Sequence, residues 1–139
     1  MERQADWRQE KAQALARARV VVIKVGSAVL TDARGLSTPV LESLARQMAA
    51  LRTAADGHER RLVLVSSGAV AAGRAVLRAH GHSGETSGLS ARQAAAAVGQ
   101  GQLMRAWDEV FRAYDFPTSQ VLLTRDDLRA RQRFLNARN

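Results

Sequence analysis

Lys24 interrupts an otherwise apolar run, Val20, Val21, Val22, Ile23 and Val25, and is followed at once by Gly26 and Ser27. A second cluster, Ser66, Ser67 and Gly68, closes the apolar run from Leu62 to Val65. An ammonium is costly to bury in a central strand, and a glycine turn lets backbone N–H groups come close to a ligand. Both features suit an anion, and a transferring phosphoryl group, on whose oxygens negative charge must be neutralised, is the anion they suit best. Taken singly, each cluster reads as an ordinary turn, and Lys24 could simply snorkel from a strand end. The conjunction favours a phosphate site, although spacing alone leaves the reaction open.

Other chemical templates are absent. No GxxxxGK[ST] loop and no GxGxxG fingerprint occurs. Ser66 and Ser67 sit where a hydrolase nucleophile would, but Leu64 and Val65 occupy the places where such a motif needs glycine. His80 and His82 flank Gly81 without a third ligand nearby, and they read as solvated, a metal role being the minor alternative, while His58 beside Gly57 and Glu59 reads as a loop residue. Asp126 and Asp127 read as carboxylates at the start of a helix, not as a catalytic pair. No metal ligand is assigned.

The elements that must position Lys24 and the two serine clusters follow from hydrophobic spacing. An amphipathic helix is expected from Asp6 to Ala18, with Trp7, Ala14, Leu15 and Ala18 as its apolar stripe. Val20 to Val25 is the first strand. Ser37 or Thr38 then caps a helix with Pro39 in its first turn, and Leu41, Leu44, Ala45, Met48 and Leu51 recur at helical spacing towards Gly57. Leu62 to Val65 is the second strand, and strand, helix, strand at these lengths is a βαβ unit with parallel strands. Gly26–Ser27 and Ser66–Gly68 therefore open onto one sheet edge, where ligands of α/β sheets bind, with Gly68 at the anion-binding start of a helix.

Further on, Ala69 to Arg78 reads as a small-residue helix in which Gly73 implies close packing. His80 to Ser90 is a Gly/Ser-rich loop. Two helical segments, Ala91 to Val98 and one carrying Leu103, Met104, Trp107, Val110, Phe111 and Tyr114, are separated by Gly99 to Gly101. Phe116 and Pro117 end the second. Thr118 to Thr124 is expected to be a third strand, and a helix begins near Arg125. No repeat or linker divides the chain, so one domain is expected.

The 139 residues are 46% hydrophobic, enough for a core. No apolar stretch is long enough to span a membrane, and the charged N-terminus is no secretory signal. With no cysteine, disulfides and thiol chemistry are excluded, which fits the cytoplasm. A net charge of +8 raises nucleic acid as a partner. The arginines are scattered, however, and no aromatic residue sits in a basic cluster, so solvated helix faces outweigh a nucleic-acid surface.

Four segments, VVVIKVGSAVLTD at 20–32, LVLVSSGAVAAG at 62–73, AAAAVGQGQLM at 94–104 and QVLLTRDDLRARQRFLNAR at 120–138, resemble the amino acid kinase family. The second, with the AVGQ and FLNAR motifs, resembles its glutamate-phosphorylating branch. The resemblance implies a three-layer α/β sandwich with a mainly parallel central sheet, incomplete in this chain. It implies transfer of the ATP γ-phosphoryl group, with Mg2+ accompanying the nucleotide, to the side-chain carboxylate of L-glutamate, the first step of proline synthesis. By the same resemblance Lys24 contacts the transferring phosphate, Gly26, Ser27 and Gly68 supply backbone donors to it, and Ser67 binds glutamate. A homo-oligomer is expected of the full-length form.

The resemblance further implies that the family's domain continues past the position matching Asn139 into a strand carrying further glutamate-binding residues and then a nucleotide-binding half with a second lysine, often followed by a PUA domain. Residues 1–139 are thus expected to be the substrate-side part, inactive alone. The kinase half of a bifunctional enzyme with a following reductase domain, and a basic nucleic-acid-binding module, are the alternatives.

Overall fold

The computed structural model describes residues 2–54, 56–82 and 88–138, with the backbone only for residues 2–6. In chain order the elements are α1 (Glu2–Arg17), β1 (Val20–Val25), α2 (Ser27–Leu30), β2 (Thr31–Asp32), β3 (Gly35–Leu36), α3 (Thr38–Leu51), β4 (Arg61–Ser66), α4 (Ala69–Ala79), α5 (Leu89–Arg112), α6 (Arg125–Arg129) and α7 (Arg131–Arg138). Strands β1 and β4 pair in parallel, from Val20 opposite Arg61 to Val25 opposite Ser66. This is the βαβ unit expected from the two apolar runs, with α3 in the crossover. The fold is mixed α/β around a parallel strand pair, in line with the expected α/β class.

Alternation along the two strands decides which face is covered. Val21, Ile23 and Val25 of β1 and Leu62 and Leu64 of β4 turn inward, where Leu41, Ala45 and Met48 of α3 and Leu103, Trp107 and Phe111 of α5 complete the core. Trp107 stacks on Phe111 at 5.5 Å between ring centroids, and Phe116 meets Phe111 edge-on at 5.6 Å, spacings at which aromatic pairs attract. The opposite face carries Val20, Val22, Val63 and Val65, all exposed.

Three expectations are corrected, and one hairpin is added to them. The two helices drawn on either side of Gly99–Gly101 are one helix, α5. A mid-helix glycine costs only about 1 kcal/mol, and Gly99 offsets it by letting α5 lie against the backbone of α4 at Ala69 and Gly73. The strand expected over Thr118–Thr124 does not form, and Val121, Leu122 and Leu123 are exposed. The Thr118 hydroxyl donates to Asp108 Oδ1 at 2.9 Å and ties the start of this segment to the end of α5, and the segment pairs with no strand among the described residues. A strand without a partner has no ladder to stabilise it.

Helix α1 forms, but Trp7 and Leu15 of its supposed apolar stripe are exposed. Its C-terminal end is held by Arg60, which donates to the carbonyls of Leu15, Ala18 and Leu51. Finally, β2 and β3 form a short antiparallel hairpin that the apolar pattern did not reveal. Its turn is fixed by Arg34 N–H donating to Asp32 Oδ1 at 2.8 Å and by Gly35 at φ +129°. Of the loop expected over His80–Ser90, residues 83–87 lie outside the described residues. His80 caps α4, its ring Nδ1 lying 2.9 Å from the Val76 carbonyl.

Candidate active site

The parallel register carries the ends of β1 and β4 to one edge. Ser67 N–H donates to the Val25 carbonyl at 2.9 Å, extending the ladder one residue beyond the strands and placing the Ser67–Gly68 turn beside Gly26 and Ser27. Ser66 and Ser67, equivalent in sequence, are separated by packing. The half-buried Ser66 hydroxyl accepts from Trp107 Nε1 at 3.0 Å and donates to the Ser67 carbonyl at 3.1 Å. It is committed to the core, whereas Ser67 is exposed at the edge.

Gly68 is the N-cap of α4 with φ +119° and ψ −10°, a conformation that L side chains rarely adopt. It is buried, and a Cβ there would touch Leu30, Leu36 and Leu103 at 3.6–3.8 Å, so glycine is required chiefly by the backbone angle. No side chain caps this helix start and no acidic residue occupies its first turn. The unpaired N–H groups and positive dipole end are left to an anion. Gly26, at φ −80° and ψ 156°, is extended, and a Cβ there would meet nothing within 4 Å, so the backbone is approachable.

A cleft of about 870 Å³ opens from this edge. Ser27, Ser66, Ser67 and Gly68 line one part, Asp32 and Gly35 of the hairpin another, and Arg74, Arg78 and Arg92 the remainder. The structure thus brings Ser27, Ser67 and Gly68 together. It leaves Lys24 and Gly26 outside the cleft lining. Lys24 lies opposite Val65, exposed on the uncovered face of the sheet, and its side chain makes no hydrogen bond or ion pair among the described residues.

The cleft arginines were missed by the reading from sequence. Arg74 and Arg78 stand four residues apart and so share a face of α4, which was a readable signal. Arg92 comes from the start of α5, and nothing local joins it to the other two.

A second cavity of about 300 Å³ is lined mainly by Met48, Leu62, Leu64, Trp107, Phe111 and Phe116. Its cation, Arg60, is used in capping carbonyls, so it offers packing and no chemistry. The carboxylates whose pKa values are displaced lie elsewhere. Hydrogen bonds from Arg112 and then Thr118 hold Asp108 below the usual range, the Thr124 hydroxyl does the same for Asp127, and the His58 backbone N–H for Asp56. Asp127 closes a capping box with Thr124 at the start of α6, in keeping with its reading as a helix-start carboxylate. Among the described residues no three His, Asp or Glu side chains converge as a metal site, and no helix is long and apolar enough to cross a membrane.

Comparison with known proteins adds a family. The profile of the amino acid kinase family matches residues 19–139. The chain is 54% identical over 134 residues to the glutamate 5-kinase of Nitratidesulfovibrio vulgaris strain DP4, covering 96% of this chain and 33% of that protein. The glutamate 5-kinase of Oleidesulfovibrio alaskensis is 53% identical over 134 residues, with 96% and 34% covered. That of Geobacter sulfurreducens is 49% identical over 125 residues, with 89% and 32% covered. The chain spans about a third of the length of the curated relatives it matches.

Proposed function

The chain belongs to the amino acid kinase family, and we propose that it forms the acceptor-binding part of a glutamate 5-kinase. In that reaction a side-chain carboxylate oxygen of L-glutamate attacks the γ-phosphorus of ATP, the bond from that phosphorus to the β–γ bridging oxygen breaks, and ADP leaves as glutamyl 5-phosphate forms. The observation that carries the reading is the shared edge of β1 and β4. There Ser27, Ser67 and Gly68 line one cleft at the uncapped start of α4.

In-line phosphoryl transfer asks a protein for positioning and charge neutralisation more than for covalent chemistry. In this reading the Ser67 hydroxyl donates to the glutamate acceptor. The backbone N–H groups around Gly26, Ser27 and Gly68 receive phosphate oxygens. Lys24, on a flexible four-carbon stem one residue before Val25, reaches round the strand end to the transferring group. The cleft offers cations and N–H donors, which fit phosphate oxygens. The charge of Mg2+ would therefore arrive with the nucleotide. We assign the remaining nucleotide contacts to sequence outside these 139 residues, a reading supported by the one-third coverage of the relatives. A cytoplasmic homo-oligomer is the expected setting.

A chimera tests this. Residues 1–139 replace the matching third of the Nitratidesulfovibrio vulgaris enzyme, and formation of glutamyl phosphate is trapped as the hydroxamate. Turnover dependent on both ATP and L-glutamate is the expected result. A folded chimera without it would remove the activity from this chain.

A further inference from the structure

The cleft has two chemically different ends. One is the Ser67–Gly68 turn with the first N–H groups of α4. The other is cationic. Helices α4 and α5 run antiparallel in close contact, since the Cβ position of Gly73 falls on Ala95 and that of Gly99 on Ala69. Continuing this register sets Arg92 of α5 level with the last turns of α4, where Arg74 and Arg78 line the same cleft. Neither the Arg78 nor the Arg92 guanidinium makes a hydrogen bond or ion pair among the described residues. Among the described residues the cleft's single acidic side chain, Asp32, is turned to the backbone N–H of Arg34.

Distance along the helix matches one class of ligand. From Gly68 to Arg78 the axis rises about 15 Å, and helical side chains lean back towards the N-terminus, which returns the guanidinium to about 10 Å from the helix start. A five-carbon dicarboxylic amino acid with a hydrogen bond at each end bridges on the order of 10 Å. The carboxylate to be phosphorylated must lie at the strand edge, beside Ser27 and Ser67. Its other carboxylate then points along α4 to the arginines, whose planar forks suit a carboxylate.

We propose that Arg78 and Arg92 bind the α-carboxylate of the acceptor and thereby select a dicarboxylic amino acid. This rests on the acceptor-site reading given above.

The test titrates the 139-residue chain by calorimetry with L-glutamate and with L-isoglutamine, in which the α-carboxylate is an amide. Arg78→Gln and Arg92→Gln are each expected to weaken L-glutamate binding roughly tenfold, and the pair roughly fiftyfold, as loss of charge-assisted hydrogen bonds does. Isoglutamine binding should change by less than about twofold, because its neutral amide forms no charge-assisted, bidentate pair. In the chimera the same losses should fall on KM for L-glutamate, with kcat within about threefold and KM for ATP unchanged, the pattern of lost uniform binding. Arg92→Lys, which keeps the charge, should recover part of the affinity, and unchanged thermal melts show that the variants fold. Absence of L-glutamate binding by the parent chain, equal losses for both ligands, losses confined to ATP, or no loss would each overturn the assignment. An inactive chimera built on a chain that still binds L-glutamate through its arginines would instead overturn the kinase reading and leave the arginine site standing.

Discussion

Lys24 can be tested cleanly because it is exposed and without partners among the described residues. Replacing such a side chain changes stability by no more than about 0.5 kcal/mol. A loss of activity on Lys24→Ala would therefore report chemistry and not folding. We expect kcat of the chimera to fall by on the order of 10²–10³-fold, the range for removing one group that stabilises transition-state charge. KM for L-glutamate should move little, and the thermal midpoint should stay in place. Steady-state kinetics with a parallel melt decide it, and a retained kcat would remove Lys24 from the mechanism. At this scale the sequence was informative wherever a signal is local. The apolar run around Lys24 and the glycine before Ala69 are visible in a few residues. The division of labour between Ser66 and Ser67 was not, because it is imposed by the indole of Trp107, 41 positions away.

The contact of α4 with α5 sets the site at the scale of elements. A Cβ on Gly99 would stand 1.8 Å from the Ala69 carbonyl oxygen, and one on Gly73 1.7 Å from that of Ala95. Backbone cannot yield as a side-chain tip does, so the helices would have to separate. Gly101, two residues on in the same helix, has nothing within 4 Å of that position. The two sites give opposite expectations. Gly101→Ala should stabilise by about 0.5–1 kcal/mol through helix propensity alone. Gly99→Ala should destabilise by about 1–3 kcal/mol despite the same gain, through overpacking. Denaturant unfolding of both variants checks the pair, and equal effects would deny the close contact. Because this contact also fixes the register that brings Arg92 to the cleft, Gly99→Ala should weaken L-glutamate binding as well. In the sequence alone the glycines suggest a break between two helices. Their tolerance inside α5 depends on a neighbour that no local pattern names.

For the whole molecule, the uncovered face of the sheet is the dominant feature. Val22 is 63% exposed, with Val20, Val63 and Val65 between 42% and 49%, in a strand pair whose other face is core. The two runs, apolar at nearly every position, announced strands buried on both sides, as parallel strands usually are. The sequence therefore carried the demand for a covering layer, while these described residues supply cover for one face only. The missing third strand has the same origin, since Val121, Leu122 and Leu123 have strand chemistry but no ladder among the described residues. The four valines share this face with Lys24 and Arg61, and an exposed valine cluster of this kind drives association. The 139-residue chain by itself should show concentration-dependent self-association in sedimentation and no ATP- and glutamate-dependent phosphate transfer. Val22→Thr with Val65→Thr should reduce the association while shifting stability by no more than about 0.5 kcal/mol per site, because neither valine is in the core. A larger loss, on the scale of about 1 kcal/mol or more for a substituted core residue, would mean that this face is covered in the isolated chain. The chimera should then be monodisperse under the same conditions if the replaced enzyme's remaining two thirds supply the cover. Persistent self-association there through these valines would show that the face is an interface between copies of this chain.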